Sequence, residues 1–283
     1  MQIFKIRGSN EAVVGIVTAV LFLGLLVSVL ALIQTVYVPR WMEQKEADHM
    51  EIVRGQFSQL KFAIDIQLAN EQPYTPIATS ITLGSKELPF FMSQRSYGSL
   101  EITSNGFIVN VTDETGYNWS KPLGTIKYTS SNAYFLDQSF IYECGSVITS
   151  QSDGNSISIK PVFIPVNETT KINIFFTLVN ISGVGHKTGY GGFDSTAIQT
   201  EYCNCTPKTE IINNSRFINI STAYAKSWSD FVNSSLKKEL TYNVDFMLYV
   251  TDDKLSIEFI NDYPDVHLEL KTIYTQIGPG WIE

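Results

Sequence analysis

A run of 27 residues without a charged side chain, from Ala12 to Val38, constrains this chain more than any other feature. As an α-helix rising about 1.5 Å per residue, the run is roughly 40 Å long. The hydrocarbon core of a bilayer is about 30 Å thick, so we expect a retained membrane-spanning helix. A cleaved secretory signal is the alternative, but its apolar core has about 7–15 residues and ends at a small-x-small site. No A-x-A sequence follows this run.

The orientation of such a helix is not decided by its flanking cations. Lys5 and Arg7 precede the run, and Arg40 and Lys45 follow it. The positive-inside rule is therefore nearly balanced.

Glycosylation sequons supply the missing orientation signal. The pattern N-x-[ST] occurs eight times, at Asn110, Asn118, Asn167, Asn180, Asn204, Asn213, Asn219 and Asn233. Roughly three are expected from the Asn, Ser and Thr content, so the excess indicates a glycan-bearing surface. A Ser/Thr/Asn-rich β-surface that forms sequons by composition is the alternative. Because all eight follow the apolar run, we expect the C-terminal part outside the cell and the short N-terminus inside.

The segment after the apolar run regains a helical period. Pro39 cannot donate an i→i−4 hydrogen bond, so we expect a kink or interruption there. Over residues 40–70 the apolar positions follow three- and four-residue spacing: they are Met42, Met50, Val53, Phe57, Leu60, Ile64 and Leu68. We predict one long helix over residues 9–71, spanning the membrane at about 12–38 and forming an amphipathic stalk at about 40–70. Its stripe packs on its own globular domain or on a neighbour's helix.

The remainder, residues 72–283, is rich in short β-type runs. Turn signals such as Ser104-Asn105-Gly106 separate them, and many short strands at close intervals are typical of an antiparallel sandwich. A helical insert is expected over residues 222–236. The fold class is therefore α+β: a long N-terminal transmembrane and stalk helix followed by one mainly antiparallel β-sandwich ectodomain.

The three cysteines are too few for a disulfide-dense scaffold. Cys203 and Cys205 form a C-x-C pair without further ligands at zinc-like spacing, so we expect no metal site. Outside the cell, the sequence favours Cys144 pairing with Cys203 or with Cys205, leaving one odd thiol.

No catalytic motif is found. There is no G-x-S-x-G, H-E-x-x-H or EF-hand loop, and the glycine-rich loop around His186 is not a phosphate-binding sequence. Acidic turns at Asp113-Glu114, Asp252-Asp253 and Asp262 with Asp265 are interpreted as solvated, with Ca²⁺ binding as the alternative. A formal charge of −8 argues against nucleic-acid binding. We expect no enzyme activity and no cofactor.

The start of the chain carries the most specific pattern. Residues 1–8 end in KIRG, and SNEAVVGIV then begins the apolar run. A basic residue, a glycine and a small residue just before a hydrophobic helix are similar to a prepilin-type signal. The resemblance implies that a prepilin-type peptidase cuts between Gly8 and Ser9 and leaves the helix on the mature protein.

The chain as a whole resembles archaeal type IV pilin-like envelope proteins. The resemblance covers residues 5–70 and continues in TSITLGSKELPFFMSQRSYGSLEI, FLDQSFIYECGSVITSQSDG, KINIFFTLVNISG and AYAKSWSDF. It implies an archaeal cell surface and self-association, or association with other pilin-like subunits, through the N-terminal helix. In type IV pilins a glutamate near the mature N-terminus pairs with a neighbour's α-amine. Glu11 is the candidate here, although it would be the third mature residue rather than the fifth.

Two functions follow as expectations. The first is a non-enzymatic pilin-like surface protein, a major or minor subunit of an archaeal type IV pilus-like filament or pseudopilus. The alternative is a single-pass, membrane-anchored extracellular module for binding or adhesion that forms no filament. The expected partners are membrane lipid, pilin-like subunits and the processing peptidase.

Overall fold

The computed structural model describes the backbone of residues 9–85, 96–168, 171–205 and 208–280, and side chains from Val13 onward. A long helical run comes first. Helix α1 (Ser9–Leu32) passes into a π-helical turn (Ile33–Tyr37) and then into α2 (Val38–Asn70).

The π-helical turn lies directly before Pro39. The Val38 N–H donates to the Ile33 carbonyl, and α2 begins with the proline in its first turn. A proline removes one i→i−4 bond and crowds the preceding turn, which is a recognised cause of helix irregularity. The expected interruption is therefore a local change of helical winding, and the chain remains helical on both sides of it.

The rest of the described chain is mostly antiparallel β-structure in two curled sheets. The six-stranded sheet has the order β1-β10-β15-β8-β7, with β11 also paired to β15. Its strands are β1 (Ile77–Thr82), β7 (Phe163–Asn167), β8 (Ile172–Gly183), β10 (Ser195–Tyr202), β11 (Lys208–Ile212) and β15 (Asp265–Ile277). The pairing of β8 with β15 is parallel.

The nine-stranded sheet has the order β13-β14-β12-β2-β3-β4-β5-β6, with β9 also paired to β2. Its strands are β2 (Tyr97–Asp113), β3 (Asn118–Ser131), β4 (Gln138–Glu143), β5 (Ser146–Gln151), β6 (Gly154–Ile159), β9 (Gly189–Gly192), β12 (Ser215–Ser221), β13 (Phe246–Val250) and β14 (Lys254–Phe259). A short helix, α3 (Ala225–Leu236), lies within the predicted insert. A regular sandwich of the two sheets stays a prediction.

The apolar interior forms two clusters. The first draws on both sheets and on α3, and Trp228 lies within it, 4.8 Å from Phe107 between ring centroids. The second combines α2 with both sheets. The stripe predicted on the stalk contributes Met50, Val53, Phe57, Leu60, Ile64 and Leu68 to this second cluster. Of the two predicted partners for the stripe, the structure therefore shows the protein's own β-rich domain.

Polar contacts fix α2 against the domain as well. Glu46 is fully buried, and its carboxylate accepts the backbone N–H groups of Ala133, Tyr134 and Phe135 at 3.0, 2.8 and 2.7 Å. Three backbone N–H donors stabilise this buried carboxylate in place of a cation. The β3–β4 turn is thereby tied to the helix.

Replacing Glu46 with Gln tests this contact. The amide keeps one acceptor oxygen and loses the charge, so we expect the free energy of unfolding to fall by about 1–3 kcal/mol. Urea unfolding of the full chain in detergent micelles measures the change. The matched control is Glu43→Gln on the exposed side of the same helix, expected within about 0.5 kcal/mol of wild type. Equal losses in the two variants would contradict the capping role.

Candidate functional site

The N-terminal helix is the largest unpartnered apolar surface among the described residues. Its large apolar side chains from Val13 to Leu32 are 44–69% exposed, although they are as apolar as a protein core. The hydroxyls of Thr18, Ser28 and Thr35 donate to carbonyls four residues earlier, so these polar groups are satisfied within the helix. The helical run Val13–Asn70 is long and apolar enough to cross a membrane.

The residues expected to direct processing and assembly lie at the start of the N-terminal helix. Gly8 is outside the described residues. Ser9 is the first residue of α1, and Glu11 lies in the first turn of that helix. Cleavage between Gly8 and Ser9 and the pairing role of Glu11 remain predictions.

A buried histidine lies beside the junction of stalk and domain. His49 Nε2 is 3.1 Å from the Leu83 carbonyl and 3.1 Å from the Tyr128 hydroxyl, which itself donates to the same carbonyl. Burial lowers the pKa of His49, and the Leu83 bond and the charge of Glu46 only partly oppose this. The position was expected to be a solvated helix residue, but it faces the domain because it lies three residues after buried Glu46 and four before buried Val53, on the same face of α2.

The sequons differ in accessibility. Asn118, Asn167, Asn204 and Asn213 are exposed, whereas Asn110, Asn180, Asn219 and Asn233 are partly buried. Asn180 is held between strands, since its Oδ1 accepts the Gly124 N–H at 3.0 Å. Asn110 and Asn219 are direct cross-strand partners of β2 and β12. Glycan occupancy stays a prediction at every site.

The cysteines correct the expected pairing. Cys203 is bonded to Cys205, with their Cα atoms 5.2 Å apart, and Cys144 is a free, fully buried thiol. Cys144 lies in the tight turn between β4 and β5, with a positive φ, and belongs to the first apolar cluster. Its expected bond to Cys203 or Cys205 is therefore wrong. Burial raises the pKa of its thiol well above the usual range.

Sequence reasoning missed a buried carboxylate next to that thiol. Glu143 accepts hydrogen bonds from Trp228 Nε1 at 2.5 Å and from the Thr222 hydroxyl at 2.9 Å. Burial raises its pKa to about 7, although both donors oppose this shift. No pattern marks the residue, because its partners lie about 80 positions away on and before α3.

The acidic turns have structural partners. Asp113 accepts hydrogen bonds from the N–H groups of Thr115 and Tyr117 and from the Thr115 hydroxyl. These bonds lower its pKa, and the bond from the hydroxyl has the largest effect. Asp265 pairs with Lys171 at 2.6 Å. Within the described ranges, no group of three or more His, Cys, Asp or Glu side chains is arranged to hold a metal ion.

An apolar row crosses the outward face of the six-stranded sheet. Ile164, Phe175, His267 and Ile211 are register partners on β7, β8, β15 and β11. The Phe175 and His267 rings stack at 4.7 Å between centroids, and Ile164, Phe175 and Ile211 are 43–53% exposed. His267, expected to be structural, therefore lies on a surface that could contact another molecule.

Comparison with known protein families, with curated proteins and with solved structures gives no match.

The Glu143 cluster predicts a pH-dependent stability. The folded protein holds a proton on Glu143 between the ordinary pKa of 4.5 and about 7, whereas the unfolded chain releases it. Stability should therefore be greatest below pH 4.5 from this group and fall by about 3 kcal/mol as the pH rises to 7. Glu143→Gln should lack this fall.

Urea unfolding of the full chain in micelles between pH 4.5 and 8 measures the difference. Exposed Glu239→Gln is the control and should keep the wild-type slope. His49 has the opposite effect on the pH profile. Its pKa is lowered in the folded protein, so its contribution to stability is lost as the pH falls below the ordinary histidine pKa. Identical pH profiles for Glu143→Gln and wild type would refute the assignment.

Proposed function

We propose that this protein is a non-enzymatic, pilin-like surface protein of archaeal type. Its N-terminal helix anchors it in the membrane, and after processing it serves as a major or minor subunit of a type IV pilus-like filament or pseudopilus. One observation carries the proposal: in a single helical run, the large apolar side chains from Val13 to Leu32 are exposed, whereas one face of α2 is buried against the β-rich domain.

The two halves of the helix need different partners. The α2 stripe is satisfied by its own domain, but the α1 side chains find no cover among the described residues. An apolar helix exposed on all sides requires a bilayer or other apolar helices. A pilin-like subunit uses both in turn, first lipid and then the helices of neighbouring subunits.

The sequence at the proposed cleavage site indicates which type of peptidase would process the chain. The order K-I-R-G followed by S-N-E-A places the proposed cut immediately before α1, whose first residue is Ser9. The proposed partners are therefore membrane lipid, pilin-like subunits and a prepilin-type peptidase.

The proposal also includes an extracellular β-sandwich that bears glycans. The first apolar cluster draws side chains from both sheets, which supports face-to-face packing. Four of the eight sequons are exposed, which supports modification from an extracytoplasmic space.

A second candidate is an anchored adhesion module without a filament. The row of Ile164, Phe175, His267 and Ile211 favours it, because exposed aromatic and aliphatic side chains on one sheet face are typical of contact surfaces. The two candidates share the membrane helix and differ in whether the leader is removed.

The N-terminal residue of the protein from its native envelope separates them. We expect Ser9 for the processed pilin-like subunit, together with recovery in a sheared surface fraction. Gly8→Val should block cleavage and hold the chain in the membrane. Gly15→Val is the control within α1, where an added side chain meets nothing within 4 Å, and it should be cleaved normally. A start at Met1 or Gln2 in the wild type would refute processing and favour the anchored module.

Glycopeptide mass spectrometry of the native protein tests the outside assignment. Glycans are expected at Asn118, Asn167 and Asn213, which are exposed in turns or at strand ends. Asn180 should be unmodified because its amide is bonded between strands. Asn204 should be poorly modified because the Cys203–Cys205 bond encloses it. A chain without glycans at all three exposed sites would contradict a glycosylated surface.

A further inference from the structure

The contacts of α2 show which end of the β-rich domain faces the apolar helix. Side chains of α2 meet the following segment in reverse order: Gln67 contacts Thr75, Gln56 contacts Thr82, and His49 contacts Leu83. Strand β1 therefore runs back along α2 toward α1. The end of the domain near Leu83 is the end closest to the apolar helix.

The buried face of α2 begins where the apolar run ends. Val38 and Met42 are 4% and 0% exposed, so one side of the helix is covered from Val38 onward. Val38 is followed by uncharged Pro39 and then by Arg40. Glu46, which holds the β3–β4 turn, lies eight residues after Val38, or about 12 Å along the axis.

Apolar side chains are exposed at this same end. Leu136 follows the turn held by Glu46 and is 44% exposed. Tyr97, 44% exposed, pairs with Ser131 at the end of β3, and Tyr190, 48% exposed, pairs with Leu100 on β2. We call Leu136, Tyr97 and Tyr190 the proximal patch.

The helical run carries matching groups at this level. The ring of Tyr37, in the π-helical turn, lies beside the ring of Trp41 on α2, with 5.9 Å between ring centroids. Arg40 and Lys45 are exposed between Val38 and Glu46. Tyrosine and tryptophan favour the head-group layer of a bilayer, and cations favour lipid phosphates.

We propose that the proximal patch seats the β-rich domain on the head-group layer of the bilayer that α1 spans. The inference rests on the membrane anchoring in the proposed function. Lipid head groups are the expected partner of the patch because α2, which holds the domain, continues directly into α1, which spans the bilayer. Val38 is buried, so the covered part of the helix begins directly at the end of the apolar run. We call this contact between the proximal patch and the head-group layer the seat. It holds the domain at the membrane surface until the helix leaves the bilayer.

Tryptophan probes in the full chain test the seat. Leu136→Trp places a probe on the patch. Phe175→Trp is the matched control, since Phe175 is 43% exposed and pairs with His267, ten residues from Ile277 along β15. Ile277 is opposite Ile198, a partner of Thr79 on β1. Ten residues of β15 span about 33 Å, so Phe175 lies about 33 Å beyond the level of Thr79, on the side away from α1.

Both variants are reconstituted in phosphatidylcholine vesicles with a spin label on the head group, and the added emission over wild type is measured. The patch probe should lose at least about half of its added emission and the distal probe less than about a tenth. Protection of the Cys144 thiol from a thiol reagent verifies that each variant is folded.

The outcomes are distinct. Vesicle flotation that fails for the wild type overturns the anchoring, and the seat with it. Flotation with equally weak quenching of the two probes overturns the seat alone. Strong quenching of both also overturns it, because the domain would then lie on the surface without a preferred end.

Discussion

Everything in this chain depends on the packing of one helix, α2, into the β-rich domain. Six side chains of its apolar stripe lie in the second cluster, five of them 0–2% exposed and Leu68 8% exposed. At about 1.5–3 kcal/mol for each buried side chain, these six side chains stabilise the fold by roughly 9–18 kcal/mol, which is an upper estimate. That is comparable with the whole free energy of unfolding of an ordinary domain. The stalk is therefore part of the domain's core.

This packing gives one helix two opposite surfaces. From Val13 to Leu32 the side chains are mostly apolar and exposed, whereas after Pro39 one face of the helix is buried and the other is largely polar. The π-helical turn at Ile33–Tyr37 marks the boundary between them. Because the helix is continuous, a displacement of α1 is passed directly to the domain. Such coupling suits a protein that carries a folded domain on a membrane or filament helix.

The sequence predicted what depends on local periodicity. The three- and four-residue spacing over residues 40–70 corresponds to the buried stripe of α2. The short β-type runs correspond to strands, but the turn expected at Ser104-Asn105-Gly106 is wrong, because these residues lie inside β2 at a shift in its register with β3. The helical insert also appears, as α3. These elements are predictable because each pattern is set by neighbours along the chain.

What depends on distant partners was not predicted. Glu46 looks like any charged stalk residue until residues 133–135 present their N–H groups to it. The burial of Glu143 likewise cannot be predicted from its neighbours, because Trp228 on α3 is the residue that donates to it. The cysteine expectation was wrong because Cys144 falls in a buried hairpin turn, whereas Cys203 and Cys205 are close enough to bond each other. For Glu46 and Glu143, proximity to these partners comes from topology rather than from spacing.

Amide hydrogen exchange of the full chain in phosphatidylcholine vesicles tests the central claim most directly. If α2 belongs to the core, amides of residues 50–68 should exchange only by global unfolding, as slowly as those of β4 and β5. A helix that merely rests on an independently folded domain would open locally. Exchange of residues 50–68 orders of magnitude faster than that of β4 and β5 would contradict the account.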